Sequence, residues 1–157
     1  MECFKTFRKA PPSQLIMTLL VKNEESMLEE NLLFHKAMGV DSFIITDNNS
    51  TDSTPEIIRK YKQKGWIKEV IEEKATDYEQ KEWVDRMIWK AKTIYKADWI
   101  INADADELWY SPSGNLKTDL SATHANVLNC EMRSVYPEEN QPFWQWDKVV
   151  KPVSEPE

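Results

Sequence analysis

The chain has 157 residues, with 27 acidic against 20 basic side chains and a formal net charge of −7. That length fits about one domain with a substantial core, and apolar and charged shares of 41% and 30% are those of an ordinary globular protein. The acidic balance argues against nonspecific binding to nucleic acid or to an anionic membrane. It also makes phosphate binding awkward unless a cation stands between protein and ligand.

Residues 1–13 read as a loose lead-in ending at Pro11-Pro12. Leu15 to Val21 is a near-continuous apolar run, hence a central strand buried on both faces. Asn23 is placed to cap a helix whose first turn holds Glu24 and Glu25, where the helix dipole favours acids. Met27, Leu28, Leu32, Ala37 and Met38 give that helix an apolar side, and Gly39 stops it. Ser42 to Thr46 is a second buried strand, followed by the polar turn Asp47-Asn-Asn-Ser-Thr-Asp52.

Thr54 as N-cap, with Pro55 at the first helical position, opens a helix to about Lys64. Gly65 ends it, and Ile67 to Ile71 is a third short strand. From about Tyr78 to Lys96 the apolar residues Trp83, Val84, Met87, Ile88, Ala91, Ile94 and Tyr95 recur at helical spacing. The strand beginning at Trp99 follows directly. A turn-rich segment at 111–114, a short helix near 116–121 and a strand around Val127 to Val135 complete a domain set at 14–136. Residues 137–157, containing Trp144 and Trp146, read as an irregular tail that opens an acceptor region.

Strands alternating with helices predict an α/β fold: a mostly parallel central sheet, right-handed crossovers and helices on both faces. Only three glycines are present, and none forms a Gly-x-Gly-x-x-Gly loop, so a dinucleotide-binding site or a Walker loop has little support. Cys3 and Cys130 form no Cys-x-x-Cys or zinc-type cluster and read as idle thiols in a reducing compartment. No apolar stretch approaches a membrane span, and Lys5, Arg8 and Lys9 precede no signal-peptide core. The expected location is cytoplasmic, with no integral membrane segment and no nucleic-acid partner.

Chemistry concentrates in Asp98-Trp-Ile-Ile-Asn-Ala-Asp-Ala-Asp-Glu107, where an apolar strand ends in three carboxylates. Open α/β sheets bind ligands at the carboxyl ends of their strands. Carboxylates there suit Mg²⁺ or Mn²⁺, which commonly share their coordination with substrate phosphates. Two more polar clusters, Lys22-Asn23-Glu24 and Asp47-Asn48-Asn49-Ser50, follow strands and belong on the same rim. Each alone also reads as a cap or a turn. A calcium loop of EF-hand type fails, because no glycine or twelfth-position Glu follows Asp104 in register.

Over roughly residues 14 to 110 the chain resembles the nucleotide-binding half of a family 2-type glycosyltransferase of GT-A fold. The residues that carry the resemblance are Leu19-Leu-Val-Lys-Asn-Glu-Glu25, His35-Lys-Ala-Met-Gly-Val-Asp41, Asp47-Asn-Asn-Ser-Thr-Asp-Ser-Thr54 and the Asp98 to Glu107 segment. The Asp-Ala-Asp-Glu form and the segment from Gln80 to Trp83 resemble the family 2-like or family 92-like subgroup. The resemblance implies a metal-dependent enzyme that moves a sugar from a nucleoside-diphosphate sugar to an acceptor hydroxyl, with inversion. It gives Asp104 and Asp106 to the metal, Mn²⁺ or Mg²⁺. Asp106 would ligate the ion, and Asp104 would contact the ribose or a metal-bound water. Asp47 becomes the acid that reads the base, with Asn49 in the same turn. Leu19, Asn23 and Glu24 would line the nucleoside pocket, and Glu107 would hold a supporting place.

Inverting members place a catalytic carboxylate on the acceptor side. Glu131, on the expected late strand, is its candidate by position, ahead of Glu138, Glu139 and Asp147. His35, in mid-helix, reads as a structural histidine; Lys22 reads as a solvated side chain, and Gln80 as a residue facing the cleft. Trp109, Trp144 and Trp146 suit either sugar stacking or core packing. The acceptor itself, whether glycan, lipid or another hydroxyl compound, stays open. Competing readings are a non-catalytic nucleotide-sugar-binding module and, less favoured for want of a Gly-rich loop with Arg, a sugar-1-phosphate nucleotidyltransferase.

Overall fold

The computed structural model describes residues 13–74, 79–123, 125–128, 130–135, 138 and 141. Their elements alternate as expected: β1 (Leu15–Val21), α1 (Leu28–Ala37), β2 (Ser42–Asp47), α2 (Thr54–Gln63), β3 (Ile67–Glu72), α3 (Gln80–Thr93), β4 (Trp99–Ala103) and α4 (Leu116–Ser121). The four strands form one sheet in the order β3-β2-β1-β4, and every pairing is parallel.

The period-two alternation of β1 divides the core into two layers. Leu15, Met17, Leu19 and Val21 pack with Leu28 and Leu32 of α1 and Ile58 and Tyr61 of α2. Ile16, on the other face, packs with Ile44 and with Met87 and Ala91 of α3. Helices on both faces explain why β1 reads as an unbroken apolar run rather than an alternating one. From β1 the chain steps outward to β2 and β3 with α1 and α2 on one face. It then returns across the sheet through α3 on the opposite face to reach β4. A single crossover hand accounts for both moves. The strand order reverses beside β1, which leaves a switch point between β1 and β4.

Three expectations need correction. Asn23 caps nothing: α1 proper begins at Leu28 behind Met27, with no side-chain cap bond, and Asn23 takes the left-handed conformation at φ 57°. Its Oδ1 instead accepts from the Thr51 N–H at 2.8 Å, a tertiary use that outcompetes the local one. Thr54 is the first helical residue of α2 rather than its cap, a place taken by Ser53. Thr54 Oγ1 is occupied in accepting from the Glu24 N–H at 2.8 Å. The strand expected at Val127 to Val135 does not form; its described residues are irregular apart from a single bridge at Val135. Val127 and Met132 are largely exposed, and a strand without a partner row of donors and acceptors has nothing to hold it straight.

Among the described residues no helix is long and apolar enough to cross a membrane. Cys130 is an exposed free thiol. Cys3, Tyr78, Glu139, Asp147 and the tail with Trp144 and Trp146 lie outside the described residues.

Candidate functional site

A cleft of about 410 Å³ opens at the carboxyl ends of the strands, at the switch point. Leu20 and Val21 at the end of β1, Lys22 and Glu24 after it, Asn48 after β2, Gln80 at the start of α3, and Asp104, Ala105 and Asp106 after β4 line it. The three polar clusters expected to converge therefore do converge, each through particular members.

Asp104 and Asp106 are exposed, with buried Ala105 between them. Neither carboxylate is engaged by another described residue. Glu107 differs, because its Oε2 accepts from the Asp104 N–H at 3.3 Å and the Trp109 Nε1–H at 3.4 Å. It closes the acid turn, consistent with a supporting role, and Trp109 packs against the core. Glu24 faces the pair from the β1 side. Partial burial, and then the charges of Asp106, Asp52 and Asp104, push its carboxyl above the usual value of 4.5. Acids that repel across a cleft are the electrostatic signature of a place a cation would neutralise.

Among the described residues no three His, Cys, Asp or Glu side chains are gathered as a ready metal cage. For a hard cation this is compatible with binding, since Mg²⁺ is commonly held by one or two carboxylates with phosphates and water completing the shell. The oxygen donors of Asp104 and Asp106 fit such an ion.

On the base side the structure redistributes the expected roles. Asp47 Oδ1 accepts from the Ser50 N–H at 3.1 Å and the Ser50 hydroxyl at 2.5 Å, forming a side-chain-closed turn. Asn49, exposed at φ 54°, supplies that turn's left-handed residue. Neither lines the cleft, nor does Asn23. Leu19 is fully buried, turned by strand alternation into the α1 and α2 layer, and Leu20 with Val21 forms the wall instead.

Asn48 is the residue that sequence reasoning passed over. It lines the cleft at 5% exposure, its N–H donates to Val21 O at 2.8 Å, and its carboxamide has no hydrogen-bond partner among the described residues. The only signal was its place between two other polar residues, and the register of β2 decides which of the three turns inward. Lys22 and Gln80 line the cleft from exposed positions. Glu131 is not among the lining residues; it lies exposed on irregular chain, and Arg133 at 3.1 Å holds its carboxyl below the usual range.

The loops at the cleft are tied by hydrogen bonds. Asn23 N–H donates to Ser50 Oγ at 2.9 Å, Glu25 N–H to Asp52 Oδ2 at 3.1 Å, and Ser53 N–H to Glu25 Oε2 at 2.9 Å. On the other side, Asn31 and His35 of α1, both fully buried, reach the acid loop and the backbone of Trp109. His35 is buried and fully partnered, and it sits in the last turn of α1 rather than in mid-helix. Burial depresses its pKa from 6.5 to about 4, against the opposing effect of its hydrogen bond to Asn31.

A parallel α/β sheet with an acid-rimmed cleft at its switch point is the architecture of a protein that binds a ligand across strand ends. The chain belongs to glycosyltransferase family 92, whose model matches residues 17–151. Among solved structures it is similar to the mannosyltransferase PcManGT from Pyrobaculum calidifontis in complex with GDP-Man and Mn2+, at 18% identity and a TM-score of 0.49. That similarity covers 65% of this chain and 30% of the other. No curated protein gave a match.

Proposed function

We propose that this chain carries the donor site of a metal-dependent glycosyltransferase, which moves a sugar from a nucleoside-diphosphate sugar to an acceptor hydroxyl with inversion. The observation that carries the proposal is the pair of unengaged carboxylates, Asp104 and Asp106, facing Glu24 across a cleft at the sheet's switch point. A Mn²⁺ or Mg²⁺ ion held there would supply Lewis-acid stabilisation of the charge that gathers on the departing diphosphate.

The remaining work falls to the chain's own residues. Asp106 is the first ligand, and Asp104 serves as a second oxygen donor or holds the ribose. Asn48 offers both a donor and an acceptor to a nucleobase edge, while Leu20 and Val21 give the nucleoside an apolar wall. Asp47 keeps one carboxylate oxygen clear of its turn bonds and is the alternative base reader. In transfer, the acceptor oxygen forms a bond to the anomeric carbon as the bond to the diphosphate oxygen breaks. The hydroxyl proton passes to a carboxylate on the acceptor side. Glu131 would have to leave Arg133 before it could take that proton.

Calorimetry with UDP, GDP and dTDP, each with and without Mn²⁺, tests the reading. Binding by at least one, dependent on Mn²⁺ and lost in Asp106→Ala, is the expected result. Binding indifferent to the metal, or to Asp106→Ala, overturns it. Release or transfer of sugar from the bound nucleotide-sugar then separates an enzyme from a binding module.

A further inference from the structure

Helix α1 turns two polar residues into its buried seam, Asn31 and His35, beside Leu28 and Leu32. Burying polar side chains is unfavourable unless their atoms find partners, and here they do. The Trp109 N–H, 2.9 Å from His35 Nε2, can only donate, so Nε2 is the bare nitrogen and Nδ1 bears the proton. That Nδ1–H lies 2.9 Å from Asn31 O and 3.0 Å from Asn31 Oδ1. With Oδ1 so occupied the carboxamide cannot usefully flip. Its Nδ2 is aimed at the acid loop, donating to Ala105 O at 2.9 Å and Glu107 O at 3.0 Å, with Asp104 O at 3.4 Å.

The strong bonds fall on alternate residues, 105, 107 and 109. Asp106 stands between the first two of these and Asp104 just before them, and both are exposed and line the cleft. The segment is a turn, closed by the Glu107 N–H donating to Asp104 O at 3.1 Å, and α1 grips the backbone of this turn while both acids stay in the cleft lining.

We infer that Asn31 and His35 are positioning residues of the donor site: they clip the acid loop to α1 and set the direction of two carboxylates they do not contact through side chains. This inference rests on the function proposed above. Groups that hold ligating residues in place typically change metal affinity or activity 10–100-fold when removed.

Two measurements on the full 157-residue chain test it. Without ligand, amide hydrogen exchange over 104–109 is compared between wild type and Asn31→Ala; exchange there should accelerate at least about tenfold while amides of β1 and β2 stay protected. With Mn²⁺ and whichever of UDP, GDP and dTDP binds wild type, Asn31→Ala should lose roughly 10–100-fold in affinity although every proposed ligand remains. Should Asn31→Ala not fold, His35→Gln and His35→Ala carry the same comparison. Gln keeps an acceptor for the Trp109 N–H and should retain the slower exchange; Ala should not. Unchanged exchange and unchanged affinity in a folded Asn31→Ala, or equal behaviour of the two His35 variants, overturn the inference. Wild type that binds no Mn²⁺-nucleotide fails the proposed function instead, and exchange over 104–109 still decides whether the clip exists.

Discussion

The backbone N–H of Trp109 donates to Nε2 of His35 at 2.9 Å, joining a loop beyond β4 to the last turn of α1 across 74 positions of sequence. This bond requires a neutral imidazole, and burial keeps it neutral, with a pKa of about 4 against 6.5. The unfolded chain therefore binds the proton more readily. The stability that neutral His35 contributes is complete above pH 6.5 and declines as the pH falls to about 4. At 1.36 kcal/mol per pKa unit the loss is about 3 kcal/mol. Denaturant unfolding at pH 7, 5.5 and 4 should show wild type losing more stability than His35→Gln, which has nothing to titrate. Parallel curves for the two proteins would count against this account.

Glu24 titrates above 4.5 because it is partly buried and then because Asp106, Asp52 and Asp104 repel its charge. Asp106→Asn should lower that pKa, and so should Mn²⁺, since each removes or offsets a negative neighbour. A raised carboxyl pKa disfavours the folded state once the pH exceeds it, so Asp106→Asn should leave stability at pH 7 unchanged or slightly higher. Carbon-13 NMR of the side-chain carboxyl reads both effects. A Glu24 curve indifferent to variant and metal would contradict the electrostatic picture.

Asp47 and Asn48 are adjacent and should fail differently. Asp47→Ala removes the acceptor for the Ser50 N–H and hydroxyl, at a cost of about 1 kcal/mol in stability. Asn48→Ala strips no described partner and should change stability by less than about 1 kcal/mol while weakening nucleotide binding roughly 2- to 10-fold. Unfolding and calorimetry on the two variants separate the roles; the reverse pattern would return base reading to Asp47.

Gly39 is held at φ 98°, and a Cβ there would lie 2.8 Å from Asn115 Oδ1. That oxygen caps α4 by accepting from the Lys117 and Thr118 N–H groups at 2.9 and 3.2 Å. Gly39→Ala should therefore cost about 2 kcal/mol or more, through backbone strain and a displaced cap. Asn115→Ala gives up the same cap and opens the space, so the double variant should lose less than the two singles combined. Strict additivity in denaturant unfolding would refute the shared cause.

The layers of the fold were legible because apolar runs and helical spacing report burial directly, as Leu15–Val21 and the Trp83, Met87, Ala91 stripe show. The acid tip was legible too, since carboxylates after an apolar strand have few structural uses. What escaped depended on tertiary choice. Asn23 carries a capping signal, but a backbone N–H from another loop claims its side chain. Asp47, Asn48 and Asn49 are alike in chemistry, and only the way β2 ends turns the middle one inward. Asn31 and His35 did leave a trace: polar residues three and seven positions after Leu28 fall on the apolar seam of α1, where a polar residue needs a buried partner. The segment after α4 misled because its β-forming side chains lack a neighbouring strand among the described residues.

The two sides of the cleft are tied to one helix as well as to the sheet. The loops after β1 and β2 are laced together just ahead of α1, through Asn23, Glu24 and Glu25, and the acid loop hangs from Asn31 and His35 within it. A displacement of α1 therefore strains hydrogen bonds on both sides of the cleft at once.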